Sequence, residues 1–252
     1  MDLATKPQVP TASLTAQIRD WLGVVLFGTC MLALFVRIGP YVMERWALAG
    51  TAILLAYLLA DFVSGVFHWM GDTWGSTDMP ILGQAFIKPF REHHVDQLEI
   101  TRHDFLEVNG NNCIISLPFA LGAHFIPFHH GETWSIFAVS FVASFVMWIF
   151  ATNQFHKWSH MDDAPGVVAW LQRVHLILPP VHHSVHHTAP YSKYYCITVG
   201  WLNQPLSAID FFGRLERVIT RLTGAVPRAE EKQLMATERP GAAVSTSALT
   251  TE

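Results

Sequence analysis

The sequence predicts an all-α integral membrane protein, with four transmembrane helices and a histidine-rich helical cap on the cytoplasmic side. Three observations lead there. Of 252 residues, 51% are hydrophobic and only 14% charged, where a soluble domain carries about 25% charged residues. The apolar residues gather into runs long enough to cross a bilayer. The histidines, fourteen in a chain short of other charge, collect mostly near one set of ends of those runs. A net charge of −4 with neutral histidines gives no basic excess, so nucleic acid is not an expected partner. Cys30, Cys113 and Cys196 are far apart and form no CxxC pair, which excludes a disulfide framework and a cysteine-ligated cluster.

Residues 1–20 are polar, with two prolines, and read as a disordered leader. The folded domain is expected over 21–228. Its first span, 21–38, has 18 residues with no charge before Arg37, enough for a core of about 30 Å at about 1.5 Å per residue; Gly39-Pro40 is expected to end it. The second, 46–69, is interrupted only by Asp61. Residues 70–111 are too polar to span. A weaker third span is expected over 112–128 and a clear fourth over 133–152. Val167–Leu178 has the pattern of an amphipathic helix lying on the membrane surface. Residues 229–252 lose their aromatics and read as a disordered tail.

Orientation follows from charge. With the N-terminus cytoplasmic, the outer loops are roughly 37–45 and 128–132. They hold Arg37 and Arg45, and the remaining Lys and Arg lie inside. His124, His129 and His130 fall at the outer turn between spans three and four. The other histidines fall on the inner side, where they can meet.

Four groups of donors lie there. His68 and Asp72 are four apart at the inner end of span two, as are His156 and His160 at the inner end of span four. Helical residues at i and i+4 sit about 5–6 Å apart on one face, within reach of one ion. His93 and His94 are adjacent in the polar loop. His182, His183, His186 and His187 form a His-His-x-x-His-His cluster, which on a helix pairs 182 with 186 and 183 with 187. A single pair arises readily by chance. Four groups on one side of a membrane do not, because clustered imidazoles without a ligand leave polar groups unpartnered and repel on protonation. Some nine donors exceed the three or four of a zinc site and suit two five- or six-coordinate ions. Imidazole with carboxylate and no thiolate suits iron, among other metals. Asp72 has a competing role as a cap or turn former before Trp74-Gly75. Asp61, an acid within a span, costs about 2.5–3.5 kcal/mol on insertion; seven residues before His68, it either orients a ligating imidazole or faces a wet cavity. Asn109, Asn111 and Asn112 suggest a turn before span three, or a water-mediated ligand.

The HxxxH, His-His and HxxHH patterns resemble those of membrane fatty-acid desaturases and hydroxylases. More specifically, the phrases FHWMGDTWGS, PFREHH, ITRHDFLEVNGNNC, HKWSH and CITVGWLN are similar to the plasmanylethanolamine desaturase family, over about residues 55–228. The resemblance implies a diiron, O2-dependent oxidoreductase that converts the alkyl-ether chain of an ether phospholipid to the vinyl ether of a plasmalogen. A plant branch instead desaturates an acyl chain of phosphatidylglycerol. It implies His68, Asp72, His93, His94, His156, His160, His183, His186 and His187 as iron ligands, the HxxHH spacing selecting His183 over His182. His182, His103, His175 and Asp61 are second choices. Two departures stand out: Phe90 occupies the first position of the FREHH stretch, and Asp72 stands where many acyl desaturases have a second histidine.

The same histidines suit an acyl-chain desaturase or hydroxylase of a phospholipid, a zinc-dependent membrane lipid hydrolase, or a metal transporter. The chain has no GxGxxG or flavin motif and no cysteine set for an iron–sulfur cluster. An external electron donor, cytochrome b5-like or a ferredoxin, is therefore expected on the cytoplasmic face of a bacterial inner membrane or the endoplasmic reticulum, with Arg91, Arg102, Lys157 and Arg173 as candidate contacts.

Overall fold

The computed structural model describes residues 13–127 and 132–229, whose regular elements are all helices, with no strand among them. The parts of the expected leader and tail at 1–12 and 230–252, together with His129 and His130, lie outside the described residues. Helix α1 (Leu14–Glu44) starts where the Ser13 hydroxyl accepts the Ala16 N–H, an N-cap. Residues 14–20, expected in the leader, therefore continue the first helix. The helix also runs through Pro40 rather than ending there, forgoing the hydrogen bond that proline cannot donate. After Arg45 the chain reverses into α2 (Trp46–Thr73), and a later long helix, α6 (Thr133–Ser159), runs alongside it. On α2 the fully buried face is Ala49, Ala52, Ala56 and Ala60, small residues that let helices approach closely.

Helices α1, α2 and α6 are long and apolar enough to cross a membrane. The expected third span is not. Its helix, α5 (Phe105–Ala123), starts seven residues earlier than predicted, at a capping box made by Asp104 and Glu107. Its first turns then carry Glu107, Asn109, Asn111 and Asn112, which leaves it less apolar than α1, α2 and α6. Three candidate spans replace the four expected. The asparagines form no turn: Asn109 donates to Gln154 at 3.0 Å, and Asn112 to the carbonyls of Ile149 and Phe150 at 3.0 and 3.1 Å. These amides tie α5 to α6. Asp20 lies against Gly110, and Arg37 donates to the carbonyls of His124 and Ile126, so α5 runs parallel to α1. His124, whose Nε2 meets the Cys30 carbonyl at 3.0 Å, thus sits at the end of α5 remote from the cap.

The cap covers the C-terminal ends of α2 and α6. A π-turn (Gly83–Ile87) leads into α3 (Lys88–Val95), followed by α4 (Glu99–Arg102); beyond α6 come α7 (Gly166–Arg173), α8 (Pro180–Ser184), α9 (Asn203–Ala208) and α10 (Phe211–Thr223). Of the amphipathic helix expected over 167–178, only the first part is helical, as α7, which ends at Arg173; Ile177 and Leu178 are buried beyond it. Helix α7 buries Val168 and Gln172 and leaves Val167 and Trp170 exposed.

Between α8 and α9 an irregular stretch, residues 188–202, lies against α2. A side chain at Gly65 would meet Cys196 Sγ at 2.6 Å, and Gly200 has φ +79°, so both positions favour glycine. Buried irregular backbone must satisfy its N–H groups within the protein. Asp61, fully buried, accepts the N–H groups of Val199, Gly200 and Leu202 at 2.9, 2.8 and 3.1 Å. Ser64 Oγ accepts Ile197 N–H, while the Asn203 amide brackets Cys196 by accepting its N–H and donating to its carbonyl. Asp61 is therefore an anchor for this stretch and hydrogen-bonds no imidazole among the described residues; both roles proposed for it from the sequence give way to a structural one.

Candidate metal centre

Helix geometry explains how so few elements collect so many donors. Residues at i and i+4 share a face, whereas adjacent residues diverge by about 100°. The pairs His156/His160 and His183/His187 therefore stay together, as do His68 and Asp72. The adjacent pairs His93/His94 and His186/His187 split. The result is two groups whose potential ligand atoms converge: His93, His156, His160, His183 and His187 in one, and His68, Asp72, His94 and His186 in the other. The structure brings together all nine residues that the sequence singled out first.

In the five-imidazole group, His183 Nε2 lies 2.9 Å from His156 Nε2 and 3.0 Å from His187 Nε2, and His160 Nε2 is 3.3 Å from His156 Nε2. In the second group Asp72 Oδ2 lies 3.4, 3.2 and 3.3 Å from the Nε2 atoms of His68, His94 and His186. Ligands about 2.0–2.1 Å from a first-row metal ion stand about 2.9–3.4 Å from one another, the spacing seen in both groups. Both carboxylate oxygens of Asp72, His68 Nε2 and His93 Nε2 are buried without a hydrogen-bond partner among the described residues. Such orphaned atoms cost about 1–3 kcal/mol each unless something else satisfies them. The donor set fits metal ions, and it sets aside the cap or turn role for Asp72, whose side chain accepts no backbone N–H.

Burial, reinforced by neighbouring imidazoles, lowers the pKa of His93, His183 and His187 far below the usual histidine range and that of His160 to about 4. These rings are neutral at pH 7, with lone pairs available to a cation.

The outer atoms of the second group are fixed by the irregular stretch. His68 Nδ1 meets the Tyr195 carbonyl at 3.1 Å and His186 Nδ1 meets the Lys193 carbonyl at 2.8 Å. A carbonyl accepts only from N–H, so both rings carry the Nδ1 proton and turn a bare Nε2 inward. These two carbonyls are features of the site that sequence reasoning missed, because backbone acceptors carry no residue-type signal; Asp61 was singled out there, but for a different role.

The second-choice histidines lie outside both groups. His182, which helical spacing paired with His186, stacks on Tyr194 and meets Asn203 Nδ2 at 3.2 Å, because its neighbour His183 already points inward. His103 pairs with Glu107 at 3.1 Å. His175 is exposed, and its carbonyl accepts the Trp201 indole N–H. Of the basic residues considered for a docking surface, Arg91 donates to the carbonyls of Trp74 and Gly75, Arg102 pairs with Asp96, and Lys157 donates to the His103 carbonyl. Arg173 is exposed.

Residues 57–230 match the lipid desaturase domain. Plasmanylethanolamine desaturase of Myxococcus xanthus is 58% identical over 209 residues, covering 82% of this chain and 73% of the relative. Plasmanylethanolamine desaturase 1 of Mus musculus is 43% identical over 228 residues, covering 85% and 81%. Chloroplastic fatty acid desaturase 4 of Arabidopsis thaliana is 35% identical over 189 residues, covering 73% and 54%. No solved structure matches the chain.

Proposed function

The chain belongs to the lipid desaturase family, and from that premise we propose that it is a diiron oxidoreductase that uses O2 to convert the alkyl-ether chain of plasmanylethanolamine to the vinyl ether of a plasmalogen. The observation that carries the metal chemistry is the convergence of nine donors, six of them buried and three half-buried, into two adjacent groups. The ether-lipid substrate is supported by the two relatives named for it, at 58% and 43% identity. The plant relative at 35% supports acyl-chain desaturation as the second reading.

Bound iron would supply the activation of O2 that removal of hydrogen from an unactivated carbon requires, beyond the reach of any side-chain acid or base. The protein's own residues hold and shield it. His93, His156, His160, His183 and His187 would hold one ion, and His68, Asp72, His94 and His186 the other. The carbonyls of Tyr195 and Lys193 keep two of these rings in one tautomer. Trp69 and Tyr195, 2% and 0% exposed, keep water from the Asp72 side. The three apolar helices suit a multi-pass protein drawing its substrate from the bilayer, with the positive-inside bias supporting a cytoplasmic site.

The test is stoichiometry and product mass. Purified protein is expected to hold close to two irons per chain, and cells making it to accumulate acid-labile lipids two hydrogens lighter than plasmanylethanolamine. A single zinc, a product one oxygen heavier, or unsaturation confined to acyl chains would each overturn this assignment, in favour of hydrolase, hydroxylase and acyl desaturase respectively.

A further inference from the structure

The proposed desaturation leaves a redox balance that the chain cannot close alone. Reducing O2 to two waters takes four electrons and four protons. The lipid supplies two of each as two C–H bonds break and the C=C bond forms. Two more electrons and two protons must come from elsewhere, the electrons from a carrier.

One surface of the cap is suited to receive that carrier. Helix α10 turns Phe211, Phe212, Leu215 and Ile219 inward against Trp69 and Tyr195. Its exposed face carries Arg214, Arg217 and Arg221, spaced i, i+3 and i+7 along one side; Arg217 also pairs with the exposed Asp210 at 2.7 Å, which leaves Arg214 and Arg221 as the excess positive charge. Val218 and Leu222, 48% and 80% exposed, lie among them. Residues 210–228 hold four arginines, two acids and no lysine, in a chain whose net charge is −4. Exposed apolar side chains bordered by arginine, with lysine absent, match the composition of protein–protein interfaces.

Behind this helix an aromatic column leads to the metal groups. The Phe212 ring lies 5.0 Å from Tyr195, and Tyr195 lies 5.1 Å from His186 and 5.9 Å from His68. Trp69 flanks the column 5.5 Å from Phe212, and its indole N–H donates to Glu216 at 3.1 Å. Arg228 grips that same carboxylate at 2.8 and 3.1 Å. The helix is thereby fixed to the end of α2 that carries His68 and Asp72.

We propose that the outer face of α10 docks an acidic one-electron carrier protein, and that electrons pass from it by way of Phe212 and Tyr195 to the Asp72-containing group. This rests on the desaturase assignment above. Charge complementarity selects an acidic partner, and the column explains why this face, rather than another basic patch, serves.

The test uses the full chain in lipid nanodiscs, with plasmanylethanolamine, O2 and a pre-reduced soluble cytochrome b5 haem domain, following haem reoxidation. Arg214→Glu, Arg217→Glu and Arg221→Glu combined are expected to slow second-order reoxidation by about tenfold or more and to flatten its dependence on ionic strength. A single turnover after direct reduction with dithionite is expected to match wild type, which also shows that the variant is folded. Phe212→Leu is expected to leave half-saturation by the carrier unchanged while lowering the rate at saturation. Unchanged reoxidation in the triple variant overturns the docking face, as does a defect seen only in discs of anionic lipid, which would seat the helix on headgroups. An unchanged saturating rate in Phe212→Leu removes the column from the path. Failure of wild type to form vinyl ether after dithionite overturns the desaturase assignment itself, and with it this proposal.

Discussion

The two candidate metal groups lie side by side yet are built differently. The five-imidazole group hangs on helices: i, i+4 pairs from α6 and from α8 with its following turn, plus one ring from α3. Its donors are all neutral, and the Nδ1 atoms of His183 and His187 have no hydrogen-bond partner among the described residues. The second group has fewer rings and one carboxylate, and two of its rings are steered by carbonyls of an irregular stretch held by Asp61. One group is fixed by helical periodicity, the other by long-range contacts. An ion in the second would be partly neutralised by Asp72, whereas one in the first would keep its full charge.

The comparison breaks most visibly if ligands are removed. His183→Ala and His186→Ala, one from each group, are both expected to cut desaturation by about 100-fold or more, since removing even an outer partner of a ligand costs about 10–100-fold. Each should lose iron, measured by elemental analysis of purified protein. A full iron load in either variant takes that residue out of the ligand set.

Asp72→Asn sharpens the contrast in charge. It keeps an oxygen but removes the anion, so iron content and vinyl-ether formation should both fall, with Asp72→His restoring part of each. If Asn keeps both at wild-type levels, Asp72 is no ligand, and neutral donors suffice in both groups.

A smaller effect separates helical from long-range support. Asp61→Asn turns an amide N–H2 toward a backbone N–H that now has an acceptor oxygen, at a cost of about 1–3 kcal/mol. The thermal midpoint should drop, and iron should be lost from the Asp72 group first, leaving about one ion per chain. Equal loss from both groups would mean that the anchored stretch supports the whole cap rather than one group.

Least is expected from histidines outside both groups. His182→Ala should lose about 0.5–1.5 kcal/mol for its bond to Asn203, and His124→Ala, at the far end of α5, should leave product yield unchanged. Loss of activity in folded His124→Ala would contradict its placement away from the site.

The sequence by itself determined the three apolar helices, the histidine pairs at i, i+4 and the candidacy of Asp72, because each is a local pattern: apolar run length, or a spacing that 3.6 residues per turn puts on one face. The family was also legible in its motif phrases. Tertiary structure alone decided the rest. The apolar stretch at 112–128 looked like a span until the capping box at Asp104 and the Asn109 and Asn112 bonds to α6 put its polar start inside the same helix. Adjacent histidines gave no hint of which ion each would serve; that depends on where α3 and α8 dock. His182 and His183 are indistinguishable in sequence, and only the packing of Tyr194 and Asn203 turns one away. Asp61 looked like a partner for His68 because it shares a helix face with it. Its true partners, the N–H groups of Val199, Gly200 and Leu202, lie more than 130 residues along the chain, and backbone donors look the same in every residue.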